Sequence, residues 1–181
     1  GECFNPGFFP VCNTAYEDFA CHYGLGYLVT QMSCCGLHVK ITQSIDASEP
    51  VEYFSVEANA HKPGELKDWK CAFYCELNLK QNDGIFGNNP NFVSHVNSTR
   101  TQASIENRSA IDGNYQAQLS CSKGVEEYCF EQEEFIGTYG SPQAPKAIQD
   151  GWSHSAPTAM PILAATTSLE SEEGKTGTYN S

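Results

Sequence analysis

The sequence holds no apolar run that approaches the roughly 18–20 residues a helix needs to cross a bilayer, so no part of it is read as a membrane span. Basic residues are scarce: 10 Lys+Arg stand against 22 Asp+Glu, a formal net charge of -12. Such a chain repels phosphate backbones instead of displacing their counterions, which disfavours nucleic acid as a partner. Cys-x2-Cys pairs are absent, the nearest spacing in the later region being Cys71-x3-Cys75, and His22, His38, His61, His95 and His154 are scattered without ligand spacing. Neither a metal nor any other cofactor is therefore expected. Gly-x-Ser-x-Gly, His-Glu-x-x-His, P-loop and dinucleotide fingerprints are missing as well. The chain carries no catalytic motif of useful specificity.

What it does have is cysteine, unevenly placed. Nine occur: Cys3, Cys12, Cys21, Cys34 and Cys35 near the N-terminus, then Cys71, Cys75, Cys121 and Cys129, and none after that. Disulfides persist in oxidising compartments while cytosolic thiols stay reduced, so this density reads as a secreted, extracellular protein with a disulfide framework. Gly1-Glu2-Cys3 has neither the basic region nor the apolar run of a signal peptide, and the secreted chain is expected to stand here in mature form. Cys71 and Cys75 share one face of an extended segment but sit ~13 Å apart at ~3.3 Å per residue, beyond the ~7 Å limit for bridged Cα atoms. Each needs a partner elsewhere, from Cys121, Cys129 or the N-terminal group. The side chains of adjacent Cys34 and Cys35 are expected to diverge into different bridges, and connectivity stays open. The odd count leaves either a buried inert thiol in a monomer or a link between two chains in a dimer. Two glycosylation sequons, at Asn97 and Asn107, agree with a secretory route.

Alternation carries the fold. Trp69, Cys71, Phe73, Cys75, Leu77 and Leu79 occupy one parity and Lys70, Ala72, Tyr74, Glu76, Asn78 and Lys80 the other, the pattern of a long strand with one buried face. The same period sets Leu37, Val39 and Ile41 against His38, Lys40 and Thr42. It sets Phe54, Val56 and Ala58 against Tyr53, Ser55 and Glu57, and Tyr115, Ala117, Leu119 and Cys121 against Gln116, Gln118 and Ser120. Lys62-Pro63-Gly64-Glu65, Asn82-Asp83-Gly84 and Asp112-Gly113-Asn114 supply turn chemistry between such runs. A capping box at Thr14-Ala15-Tyr16-Glu17, with Tyr16, Phe19, Ala20 and Tyr23 on one face and Gly24 as a stop, predicts a short helix. From about Thr138, prolines lie among many Ser, Thr and Ala residues with little periodicity, interrupted by the apolar patch Met160-Pro161-Ile162-Leu163-Ala164-Ala165. The expected architecture is mainly β: a disulfide-stapled antiparallel β-sandwich or small barrel over residues 1–137, one short N-terminal helix, and a disordered tail over 138–181. The polar terminus Gly177-Thr178-Tyr179-Asn180-Ser181 fits a chain from which a glycolipid-anchor signal has been removed, giving attachment to the cell surface.

Three kinds of function follow. The loop from Cys3 to Cys12 would present Phe8 and Phe9 as anchors for an extracellular protein or polysaccharide. Carboxylates at Glu126, Glu127, Glu131, Glu133 and Glu134 lack the glycine turn and ligand alternation of a calcium loop and read as a solvated acidic face. His38 and His95 as an acid-base pair, Glu57 or Asp68 as helper and Arg100 as the phosphate cation would suit a ribonuclease. Their order loosely resembles that of the fungal guanyl-specific ribonucleases, with Trp69 after Asp68 as the local echo, although no arginine lies between Asp68 and His95. In overall style, the dense cysteines, acidic surface and Ser/Thr/Pro tail resemble the small cysteine-rich secreted proteins of filamentous fungi, effectors included. That resemblance implies binding to a host or cell-wall component without catalysis, so enzymatic activity is not the leading expectation. A structural protein held at the cell surface by its tail is the third reading.

Overall fold

Leu25-Gly26 and Cys35-Gly36 each leave two residues between segments of alternating hydrophobicity, and the glycines supply the positive φ that such reversals need, 79° and 77°. The computed structural model describes residues 16–60, 69–79, 91–108, 115–157 and 160–169, with the backbone of 177–180. Around those two turns run β1 (Asp18–Gly24), β2 (Tyr27–Cys34) and β3 (Leu37–Ile45), followed by β4 (Glu52–Ala60). After them come β5 (Lys70–Glu76), β6 (Phe92–Val96), β7 (Gln102–Asn107), β8 (Tyr115–Ser120) and β9 (Glu127–Glu131). Two short helices, α1 (Gln132–Ile136) and α2 (Lys146–Asp150), precede β10 (Pro161–Ser168) and β11 (Gly177–Asn180). The chain divides into two compact units, cut between Cys71 and Ala72 and again between Thr167 and Ser168.

The unit that includes the first four strands is an antiparallel meander extended by β11 beside β4, in the order β1-β2-β3-β4-β11. Its register is unbroken, so the sequence alternation becomes two faces. Met32, Leu37, Val39 and Ala58 are buried on one face with Leu169, and Ile41, Val56, Trp69 and Cys71 pack against them. On the opposite face stand Lys40, Thr42, Ser55 and Glu57. The alternation expected for β3 and β4 is thus observed. The N-terminal helix is not: residues 18–24 form β1, paired along its length with β2. Strand pairing across the Leu25-Gly26 turn outweighs a short amphipathic pattern, because two and a half isolated helical turns are marginal in water.

The other unit is layered. Sheet β6-β7-β8 and sheet β5-β10-β9 share a core of Phe92, Ala103, Ile105, Phe130 and Leu163, a sandwich-like arrangement. The far face of the second sheet is covered by Phe135 and Ile136 of α1 and Ala147 of α2, which pack on Cys129, Ile162 and Ala164. Strand β10 is consequently buried on both faces, and Ile162 and Leu163 each contribute roughly 1.5–3 kcal/mol by leaving water. The segment expected to be a disordered tail therefore supplies a central strand, two-sided burial being what turns an alternating pattern into a continuous apolar run. No disulfide forms among the described cysteines, so the expected staple is replaced by packing. The Cys121 thiol donates to the Gly124 carbonyl at 3.0 Å and the Cys129 thiol to that of Glu131 at 3.4 Å. Burial pushes the Cys129 thiol pKa up and keeps it protonated.

Candidate functional site

In an antiparallel sheet, directly paired residues project to the same face, so the register reads out the surface of the meander row by row. The outer row is Gly24, Tyr27, Ser44 and Tyr53 across β1 to β4. The next is His22, Val29, Thr42 and Ser55, and the third is Ala20, Gln31, Lys40 and Glu57. Tyr27 and Tyr53 are 50% and 48% exposed and lie two strands apart, a spacing of about 9–10 Å at ~4.8 Å per strand. Hydroxyls of Ser44, Thr42 and Ser55 lie between and beside them, and an ion pair of Lys40 Nζ with Glu57 Oε1 at 2.9 Å closes the third row. The result is a sheet face with two tyrosines in its end row and hydroxyl-bearing side chains beside them.

The Tyr27 ring is positioned by its surroundings. Gly24 leaves its strand bare where the Tyr27 ring crosses it: a Cβ there would run into the ring and its hydroxyl. In the turn after β3 the Asp46 carboxylate accepts the Ser48 backbone N–H at 2.9 Å and that of Glu49 at 3.1 Å. These bonds, the one from the Ser48 backbone foremost, hold Asp46 below its ordinary pKa of 3.8. A ring fixed before a ligand arrives, as that of Tyr27 is, loses little rotamer freedom on binding.

The residues singled out in the sequence are dispersed. His38 is half-buried on β3, with Nδ1 3.2 Å from Ser33 Oγ, and Glu57 is occupied by Lys40. Both belong to the meander unit, whereas His95 and Arg100 belong to the layered one. His95 faces solvent on β6 opposite Ser104. Arg100 is a clamp: its Nε donates to the Val125 carbonyl at 3.0 Å, its Nη2 to that of Glu126, and its guanidinium lies 5.7 Å from the Tyr128 ring centre. Asn97 turns a loop, accepting the backbone N–H groups of Thr101 and Gln102 at 2.8 and 3.1 Å. Asn107 is fully buried and donates Nδ2 to the Leu79 carbonyl at 2.8 Å, so a glycan on that nitrogen would displace the bond. Among the acidic residues, Glu127 meets His154 at 3.1 Å and Glu131 accepts the Met160 N–H at 3.2 Å; no metal-holding group occurs among the described residues. Phe8, Phe9, Cys3, Cys12, His61 and Asp68 lie outside the described residues.

Sequence reasoning missed Tyr27 and Gly24 and treated Tyr53 only as an outward position. The signal was Gly24-Leu25-Gly26-Tyr27, which is a hairpin reversal and not a helix stop.

A family model described as Glycosyl hydrolase 94, supersandwich domain, matches residues 1–180. No curated protein matches the chain. The family match overturns the resemblance to fungal cysteine-rich effectors and, with it, the readings as a disulfide-rich effector-like binder, a ribonuclease or a tail-anchored structural protein. Those readings rested on cysteine density and on residue order, neither of which encodes a site geometry.

Proposed function

The chain belongs to the glycosyl hydrolase 94 supersandwich family, and from that premise we propose that it binds a saccharide on the outer face of the β1–β4 meander. The observation that carries the proposal is the row in which half-exposed Tyr27 and Tyr53 flank Ser44. A pyranose with equatorial substituents presents a face of C–H groups and a rim of hydroxyls; the first suits a tyrosine ring and the second the Ser and Thr hydroxyls beside it. Tyr27 and Tyr53 stand in one row across the sheet, with the Tyr27 ring reaching over Gly24, so a polymer touching both rings would run across the strands. The net charge of -12 favours a neutral glycan over a uronate or a sulfated one. An extracytoplasmic setting, where such polymers occur, belongs to the same proposal and is tested by glycan occupancy at Asn97.

Titration calorimetry with cellohexaose and chitohexaose, and with polygalacturonate as the anionic control, tests the face directly. Saturable binding of a neutral hexasaccharide is expected, with Tyr27→Ala and Tyr53→Ala each weakening it roughly tenfold, the equivalent of about 1.4 kcal/mol. Binding that neither substitution changes, or no binding of either neutral hexasaccharide, would sink the reading.

A further inference from the structure

The reversal between β2 and β3 holds two adjacent cysteines. Cys34 is the last residue of β2, paired with Leu37, and is 1% exposed; Cys35 is the first residue of the turn and faces solvent. Their sulfurs lie 3.3 Å apart, converging where the sequence suggested divergence. The backbone is unusual at the same place. Cys35 and Gly36 have φ of 53° and 77°, the pair of positive values that a tight two-residue hairpin asks for. Glycine meets that demand without penalty, but a residue with a Cβ does not. Among the described residues only Cys35 and Arg100 are non-glycine with positive φ. Arg100 is held by its bonds to the Val125 and Glu126 carbonyls, whereas the contact at Cys35 is with the neighbouring sulfur. Strain kept at one position beside a reactive pair is an indication of use.

We propose that Cys34 and Cys35 are a redox-modifiable site, a vicinal dithiol that a low-molecular-weight disulfide closes into a bond between neighbouring residues. The exposed Cys35 thiolate attacks one sulfur of the disulfide, forming a mixed disulfide and releasing one thiol. Cys34 then attacks the Cys35 sulfur from 3.3 Å and releases the second thiol. The two cysteine protons end on the two released thiols, and the incoming disulfide is the oxidant that is reduced. Adjacent Cα atoms are ~3.8 Å apart, short of the ~4.4 Å at which ordinary bridges begin, so the closed form is strained and readily reopened by thiols. Closure must also alter the backbone at Cys35 and disturb Leu37, which is packed in the meander core. The site therefore couples thiol redox state to the order of this hairpin, independently of any saccharide.

The test treats the folded chain with glutathione disulfide, alkylates it after unfolding and maps peptides by mass spectrometry. The peptide carrying both cysteines should be unalkylated and lighter by two hydrogens. Dithiothreitol should restore both alkylation sites, and amide exchange at residues 34–37 should quicken in the closed form only. In Cys35→Ser no closure should occur; in Cys35→Gly, which suits the φ and protects against misfolding as an explanation, none should occur either. Full alkylation of both residues, a stable glutathione adduct on Cys35, or a bridge from Cys34 to a different cysteine would each overturn the proposal.

Discussion

The two units bury their strands differently. Each of β2, β3 and β4 in the meander turns one parity inward and one outward, while β10 in the layered unit has packing against both faces. A strand with a free face can present side chains to a ligand; a strand buried on both sides can only hold neighbours together. Under the proposed saccharide reading, recognition falls to the meander and cohesion to β10, and substitutions should separate the two roles.

The largest effect is expected at the buried strand. Ile162→Ala should destabilise by about 2–5 kcal/mol, since Ile162 is 1% exposed between α1, α2 and β9, while Ile45→Ala, 63% exposed on the meander, should change stability by less than about 0.5 kcal/mol. Urea unfolding measures both, and equal effects would break the comparison. Next is Asn107→Ala, which leaves the Leu79 carbonyl and the Asn91 N–H without their buried partner and should cost about 1–3 kcal/mol; the same denaturation curve reads it. Gly24→Ala should leave unfolding nearly unchanged but lower hexasaccharide affinity a few-fold, because the added Cβ pushes the Tyr27 ring off its strand. The smallest effect is in acid. Asp46 has its pKa lowered in the fold, so its contribution is complete above the ordinary value of 3.8 and fades as pH falls through the lower folded value. Urea unfolding across that window should show a small loss of stability as the carboxylate gives up its bonds from the Ser48 and Glu49 N–H groups, and Asp46→Asn should flatten the dependence.

The same contrast explains what the sequence disclosed. Alternation at Leu37 to Ile41 and at Phe54 to Ala58 was legible because those strands have one wet face, which writes a period of two into the chain. Ile162 to Ala165 was illegible because a doubly buried strand has no period, and Pro157 and Pro161 just before it made the run look like an interruption in a loose tail. Tyr16 to Tyr23 read as a helix since its apolar spacing fits both periods, and only pairing with Tyr27–Cys34 decides between them. The platform was hidden for a related reason. Tyr27 and Tyr53 are 26 positions apart in the chain, and their shared row depends on two successive registers that no local window contains.

The position of β10 also bears on how the chain is made. It lies between β5 and β9 but is synthesised after both, and its bond from the Leu77 N–H to the Pro161 carbonyl spans more than 80 residues. During synthesis the meander β1–β4 can close by local hairpins as it emerges, while β5 and β9 must wait with open edges for the strand that joins them. A nascent chain stopped before residue 161 would carry two unpaired sheet edges and the uncovered apolar side chains of Phe130 and Phe135, the form of this protein most prone to aggregate or to recruit a chaperone.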